Sequence, residues 1–219
     1  MIRALLIAAA LLLAACEPRL TLEHDGLGFD ERRERLAAVS SWRMQGRLAI
    51  DTGERAAPGR FSWLHDDEVS TLLVRGPLGG GVLEVTRSPD GMTVTARGER
   101  RELADPETDL SALLGWWMPV ESLDAWLLGL PDPRYPAETR LGRANVLERL
   151  DQRLWRVDYE QYQLVDGVLI PRRIRMTHET LDVRVTIDDW SARSLNSTAS
   201  APHNTALEAI DGRWGVAKR

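Results

Sequence analysis

Trp42, Met44, Gly46, Leu48 and Ile50 alternate with Arg43, Gln45, Arg47 and Asp51, and this period of two recurs along most of the chain. Alternation sends one set of side chains to each face of a strand. A chain with many such segments in succession has to pair them into a sheet and cover the sheet's apolar face. Phe61 and Trp63 mark a second strand, Leu72 and Val74 a third, Leu83 and Val85 a fourth. Met92, Val94 and Ala96 follow the turn Ser88-Pro89-Asp90-Gly91 as a fifth. Strands resume near Arg143. Trp155, Val157 and Tyr159 alternate with charged residues, Ile174 and Met176 follow, and Leu181, Val183, Val185 and Ile187 close the series.

The middle of the chain has a helical period instead. Residues 108–117 and 120–129 read as helices. In the second, Leu123, Trp126, Leu127 and Leu130 form an apolar stripe between Pro119 and Gly129. Pro131, Pro133 and Pro136 then forbid regular structure. A further helix is expected from Asp30 to Ser41, with Leu36, Val39 and Ala37 facing inward. The sum is a mainly β, α+β fold: one antiparallel sheet of about ten strands with a few helices. A sheet that wide curls, and the helical segment has too little apolar surface to fill a closed barrel. A curved sheet partly plugged by helices, with an apolar cavity left over, is the expected result.

The N-terminus fixes where this fold is to be found. Arg3 precedes an apolar run from Ala4 to Leu13, and Leu13-Ala14-Ala15-Cys16 ends it on the one cysteine of the chain. This is the pattern of a secretory signal peptide, too short for the roughly 20 residues of a membrane span. A cysteine at the cleavage site resembles a lipobox, in which Cys16 is acylated and becomes the first residue. Two or more chains make membrane anchoring stable, where one is marginal. Glu17, rather than Asp, after the cysteine favours the outer membrane. The expected organisation is a signal peptide over 1–15, a lipidated cysteine and polar tether over 16–28, one domain over 29–191 and a flexible tail over 192–219.

Other chemistries find little support. The chain has 33 acidic and 28 basic residues, a formal charge of −5, so it carries no electrostatic footprint for nucleic acid. With Cys16 acylated, no thiol remains for a disulfide or a thiolate site. His24, His65, His178 and His203 have no metal-ligand spacing, no serine stands in a nucleophile elbow, and no metal or cofactor is expected beyond the lipid on Cys16. The glycine-rich run Gly76-Pro77-Leu78-Gly79-Gly80-Gly81 continues into Val82-Leu83 rather than Lys-Ser/Thr, which excludes a phosphate loop. It reads as the connection of a hairpin, with Leu78 out of place at a normally polar tip. Beside a bilayer a projecting leucine could partition for roughly 2 kcal/mol, enough to orient a tethered body.

Several of these patterns occur together. Trp42-x-x-x-Gly46, Phe61-x-Trp63, Gly76-Pro77-Leu78-Gly79, Met118-Pro119-x-x-x-Leu123-x-x-Trp126-Leu127-x-Gly129, Trp155-x-Val157-x-Tyr159-x-x-Tyr162, Ile170-Pro171-x-x-Ile174 and Ile187-x-x-Trp190 stand in this order. With the lipobox, the set resembles the LolB family of outer-membrane lipoprotein receptors over about residues 39–190. The resemblance implies an open half-barrel with helices covering a hydrophobic cavity. It also implies a lipid-anchored monomer, facing the periplasm, that accepts acylated lipoprotein cargo from a carrier of LolA type and inserts it into outer-membrane lipid without nucleotide or metal. Leu78 matches the leucine that the family presents for membrane insertion. Candidate cavity walls are Met44, Leu48, Trp63, Leu83, Trp126, Leu127, Val185 and Ile187, for each of which core packing is an equal alternative. A related half-barrel lipoprotein that binds lipid, or acts in envelope-stress sensing, is the rival; neither reading is enzymatic.

Overall fold

The computed structural model of the chain describes residues 24–76 and 81–192. The expected signal peptide, Cys16, most of the expected tether, Leu78 and the expected tail from residue 193 onward lie outside them. The described residues form one eleven-stranded antiparallel sheet: β1 (Ser41–Asp51), β2 (Ala56–Asp66), β3 (Val69–Arg75), β4 (Val82–Ser88), β5 (Gly91–Ala96), β6 (Glu99–Leu103), β7 (Ala137–Leu141), β8 (Leu147–Gln152), β9 (Trp155–Val165), β10 (Val168–His178) and β11 (Leu181–Ala192). Their order across the sheet is β6-β5-β4-β3-β2-β1-β11-β10-β9-β8-β7. First and last strands therefore meet in the centre, where Leu48 pairs with Val185 and Ile50 with Val183. The free edges are β6 and β7, and the sheet does not close between them.

Both edge strands are absent from the sequence reading. β6 is Glu99-Arg100-Arg101-Glu102-Leu103 and β7 is Ala137-Glu138-Thr139-Arg140-Leu141, and neither shows apolar alternation. Each has one hydrogen-bonded neighbour, and β7 is exposed along its whole length. Charged, short edges discourage pairing with other chains. The inner strands behave as their alternation demands: in β1, Trp42, Met44 and Gly46 are buried while Arg43, Gln45 and Arg47 are exposed.

The connection between the two edges carries the helices. α2 (Pro106–Leu114) starts at Asp105, whose carboxylate accepts from the Thr108 N–H at 3.2 Å, and stops at Gly115 with φ +83°. It begins two residues before the expected start, at the proline that suits a first helical turn. α3 (Leu123–Leu127) is a short helix, not the ten residues expected, yet all four members of its predicted stripe, Leu123, Trp126, Leu127 and Leu130, are buried. The stripe was legible because burial needs only one turn of correct periodicity.

α1 (Phe29–Ala37) precedes the sheet, starting from Gly28 rather than from an Asp30 cap. Leu36 is buried as expected, but Ala37 is exposed, and the helix's other buried residue is Arg32. Asp25, expected in a patternless tether, is docked: its side chain is 0% exposed and pairs with the 3%-exposed Arg32 at 2.7 Å. The helices and the inner sheet face enclose one large apolar cluster, from Leu36 through Met44, Trp126 and Trp155 to Trp190. A smaller one gathers Val85, Met92, Val94, Leu110 and Val120.

Candidate functional site

Between the inner sheet face and the α2–α3 segment lies a cavity of about 120 Å³. The sheet supplies Leu48, Ile50, Phe61, Trp63, Leu72, Val74, Leu83, Val85, Met176, Val183 and Val185. The helical segment supplies Leu110, Leu114, Trp116, Met118, Val120, Leu123 and Leu127. Every lining side chain is hydrophobic. Cross-strand pairing builds the wall directly: Phe61 faces Val74, Trp63 faces Leu72, Leu72 faces Val85, Val74 faces Leu83, and Val183 faces Met176. The indole N–H of Trp63 is already engaged, because Trp63 Nε1 donates to Ser70 Oγ at 2.6 Å.

The cavity opens toward one end of the sheet. Ile50, Val74, Leu83 and Leu114 also line an outer vestibule of about 670 Å³ with Gly76, Gly81, Val82, Val94, Ala96 and Leu113. Gly76 and Gly81, joined by a 3.1 Å backbone hydrogen bond, bracket the loop that contains Leu78. The mouth therefore sits beside Gly76 and Gly81. Val82 and Leu113 are exposed there, and the Arg101–Glu99 ion pair, 2.7 Å, stands on the rim.

The helical segment is held unevenly. On the β8–β9 side a buried polar network pins it. Gln152 Oε1 accepts from Trp126 Nε1 at 2.8 Å and from the Asp132 N–H at 2.9 Å, while its Nε2 donates to the carbonyls of Asp132 and Tyr135. Burial would raise the Asp132 pKa, but hydrogen bonds from Arg134 and Ser122 bring it below its ordinary value. Arg153 holds Glu107 of α2 bidentately and lies 4.1 Å over the Tyr135 ring. On the β4 side the polar tie is the ion pair of Arg87 and Asp124, 2.7 Å. His65 nearby is stacked on Trp42 and kept below its ordinary pKa by burial and by the positive charge of Arg87.

Of the eight wall residues expected from sequence, the structure puts Leu48, Trp63, Leu83, Leu127 and Val185 on the cavity. Met44, Trp126 and Ile187 are fully buried in the surrounding core instead. Met44 and Ile187 occupy the same inward face, but farther from the mouth, where Met44 packs level with Trp63 and Trp190. Trp126 turns its indole to Gln152. Residues of α2 and the 116–120 segment were not anticipated as wall. Their apolar character was visible, but nothing local says that they fold back across a sheet.

The LolB family, described as "Outer membrane lipoprotein LolB", matches residues 40–190. An outer-membrane lipoprotein LolB of Stutzerimonas stutzeri (strain A1501) is 32% identical over 192 residues, covering 85% of this chain and 93% of that protein. One from Pseudomonas putida (strain W619) is 32% identical over 164 residues, 74% of this chain and 80% of its own length. Among solved structures, a LolA superfamily protein from Nitrosomonas europaea superposes with a TM-score of 0.48 at 12% identity, covering 77% of this chain and 95% of that one. The match spans the sheet that carries the cavity except for the last two residues of β11, and the chain belongs to the LolB family of outer-membrane lipoproteins.

Proposed function

We propose that the chain, anchored in the outer membrane by lipid on Cys16, receives acylated lipoproteins from a soluble carrier of LolA type and releases them into that membrane. The observation that carries this reading is a wholly apolar cavity whose mouth is bordered by Gly76 and Gly81. Acyl chains exposed to water cost about 0.8 kcal/mol per methylene, tens of kcal/mol for a triacylated protein. A shelter at each step removes that barrier, and transfer can then run downhill from carrier to cavity to bilayer. Such a passage needs no catalytic group, nucleotide or metal.

The cavity as closed is small for the task. At about 120 Å³ it is comparable with voids of ~150 Å³ that take up benzene, room for a fragment of one chain. Full occupancy requires the α2–α3 segment to move off the sheet. The uneven hold on that segment sets the direction: it turns about the Gln152 and Arg153 side while the Arg87–Asp124 pair parts.

The test is uptake of a fluorescent tripalmitoyl-cysteinyl peptide from its carrier, without ATP, followed by its appearance in liposomes. Val183→Trp, which fills the cavity, is expected to weaken uptake about ten-fold or more, that is by at least ~1.4 kcal/mol, with a cooperative melt retained. Leu72→Trp repeats the test from another strand. Uptake unchanged by either folded variant overturns the reading. Leu78→Glu is expected to leave uptake intact and slow release into liposomes. Equal loss of both steps makes Leu78 structural only.

A further inference from the structure

The buried pair Asp25–Arg32 lies outside the cavity and outside residues 40–190, and transfer as described does not use it. It is nonetheless closely built. Asp25 accepts from Arg32 Nε at 2.8 Å, from Arg32 Nη2 at 2.7 Å, and from the backbone N–H groups of Leu27 and Leu169 at 3.0 and 2.9 Å. Arg32 also donates to the carbonyls of Asn145 and Ala144 at 2.8 and 3.1 Å. The chain that leads back to Cys16 is thereby fastened to the start of β10 and to the β7–β8 connection.

The place of attachment matters. β10 runs from Val168 to His178, antiparallel to β9 and β11. Its start therefore lies at the end of the sheet that holds the β9–β10 turn. The cavity mouth, with Ile50, Val74, Gly76 and Gly81, lies at the other end, with the β1–β2 turn and the β3–β4 loop. The tether leaves the body at the end remote from the mouth. Along β10 the two ends are about 35 Å apart at ~3.3 Å per residue, or roughly 25 Å in height if the strands tilt by about 40°. From Cys16 to Asp25 the fully extended chain reaches about 30 Å. Tether and body are nearly matched in length.

We propose that the Asp25–Arg32 clamp is a positioning device that sets the tether's reach, so that the mouth meets the bilayer holding Cys16 only when the tether runs up the side of the body. With the tether slack, the mouth faces away from the membrane, toward an arriving carrier. With it extended, the mouth faces lipid. The inference rests on the proposed transfer function and on acylation of Cys16, and makes Asp25 a residue that acts through geometry rather than by touching cargo.

The test uses the acylated full chain in liposomes, with the tripalmitoyl-cysteinyl peptide supplied on its carrier. Deleting residues 18–22 leaves Glu17 beside the cysteine and cuts the reach to about 14 Å, short of either estimate of body height. Release of peptide into the bilayer is expected to fall about ten-fold, while the same deletion in the unanchored Cys16→Ala chain has no effect. Five Gly/Ser residues inserted after Glu17 of the deleted chain are expected to restore release. So is Asp25→Asn in the deleted chain, because it frees the residues that follow. A purely structural clamp predicts the opposite, further loss. Release unaffected by the deletion, or not restored by the Gly/Ser insertion, overturns the inference whether or not Asp25→Asn folds. A Cys16→Ala chain that takes up no peptide at all overturns the transfer function itself, a separate outcome.

Discussion

Asp25 shows how much a single side chain can depend on its surroundings. Burial pushes its carboxyl upward, but hydrogen bonds from Arg32 and from the Leu169 and Leu27 N–H groups outweigh that and bring its pKa from 3.8 to about 2. A carboxylate whose pKa is lower in the folded state contributes stability that is complete above the unfolded value and is lost as pH falls through the folded one. For Asp25 that window runs from about pH 4 down to about pH 2, and the contribution is on the order of 2 kcal/mol. The expected outcome is a loss of denaturant stability across this window that is smaller in Asp25→Asn than in the parent, measured from urea midpoints at fixed ionic strength. Equal pH dependence in both chains removes Asp25 as the source. Sequence could not announce this residue, because one aspartate in a polar stretch looks the same whether it is solvated or clamped.

At the scale of elements, Gly46 shows what strand pairing demands beyond alternation. It sits at a shift of register in β1, where Gln45 pairs with Asp189 and Gly46 with Ile187, skipping Asp188. A Cβ added there would lie 2.1 Å from the Thr186 carbonyl oxygen and 2.8 Å from the Phe61 ring. The backbone oxygen cannot yield without moving β11, and Phe61 belongs to the cavity wall. Gly46→Ala is therefore expected to destabilise by about 3 kcal/mol and to reduce probe uptake through displaced Phe61, as measured by urea unfolding beside the peptide assay. A substitution that costs nothing shows that β1 and β11 slide to accommodate it. The same scale explains the missed edges. A central strand must present an apolar face to the core, so its sequence alternates; β6 and β7 are free on one side, and charge serves them better than alternation.

For the molecule as a whole, the expected lipid anchor and the cavity mouth are connected by the tether, body height and clamp described above. Cys16→Ala is expected to abolish incorporation of labelled palmitate and to move the protein from the membrane fraction to the soluble one. Surviving label removes the acylation claim. The antiparallel sheet, its inward face, the apolar stripe of the helical segment and the LolB-like order of motifs were all legible in the chain, because each rests on local periodicity or spacing. Parity along a strand tells which face a residue takes, and so Leu48, Trp63, Leu83, Val185, Met44 and Ile187 were all correctly turned inward. It does not tell how far along that face the helical segment reaches. That was decided by the pairing of β1 with β11 and by the path of residues 104–136 between the two free edges. Contacts between residues so distant in sequence leave no local trace, and only the folded chain separates the wall of the cavity from the core packed beneath it.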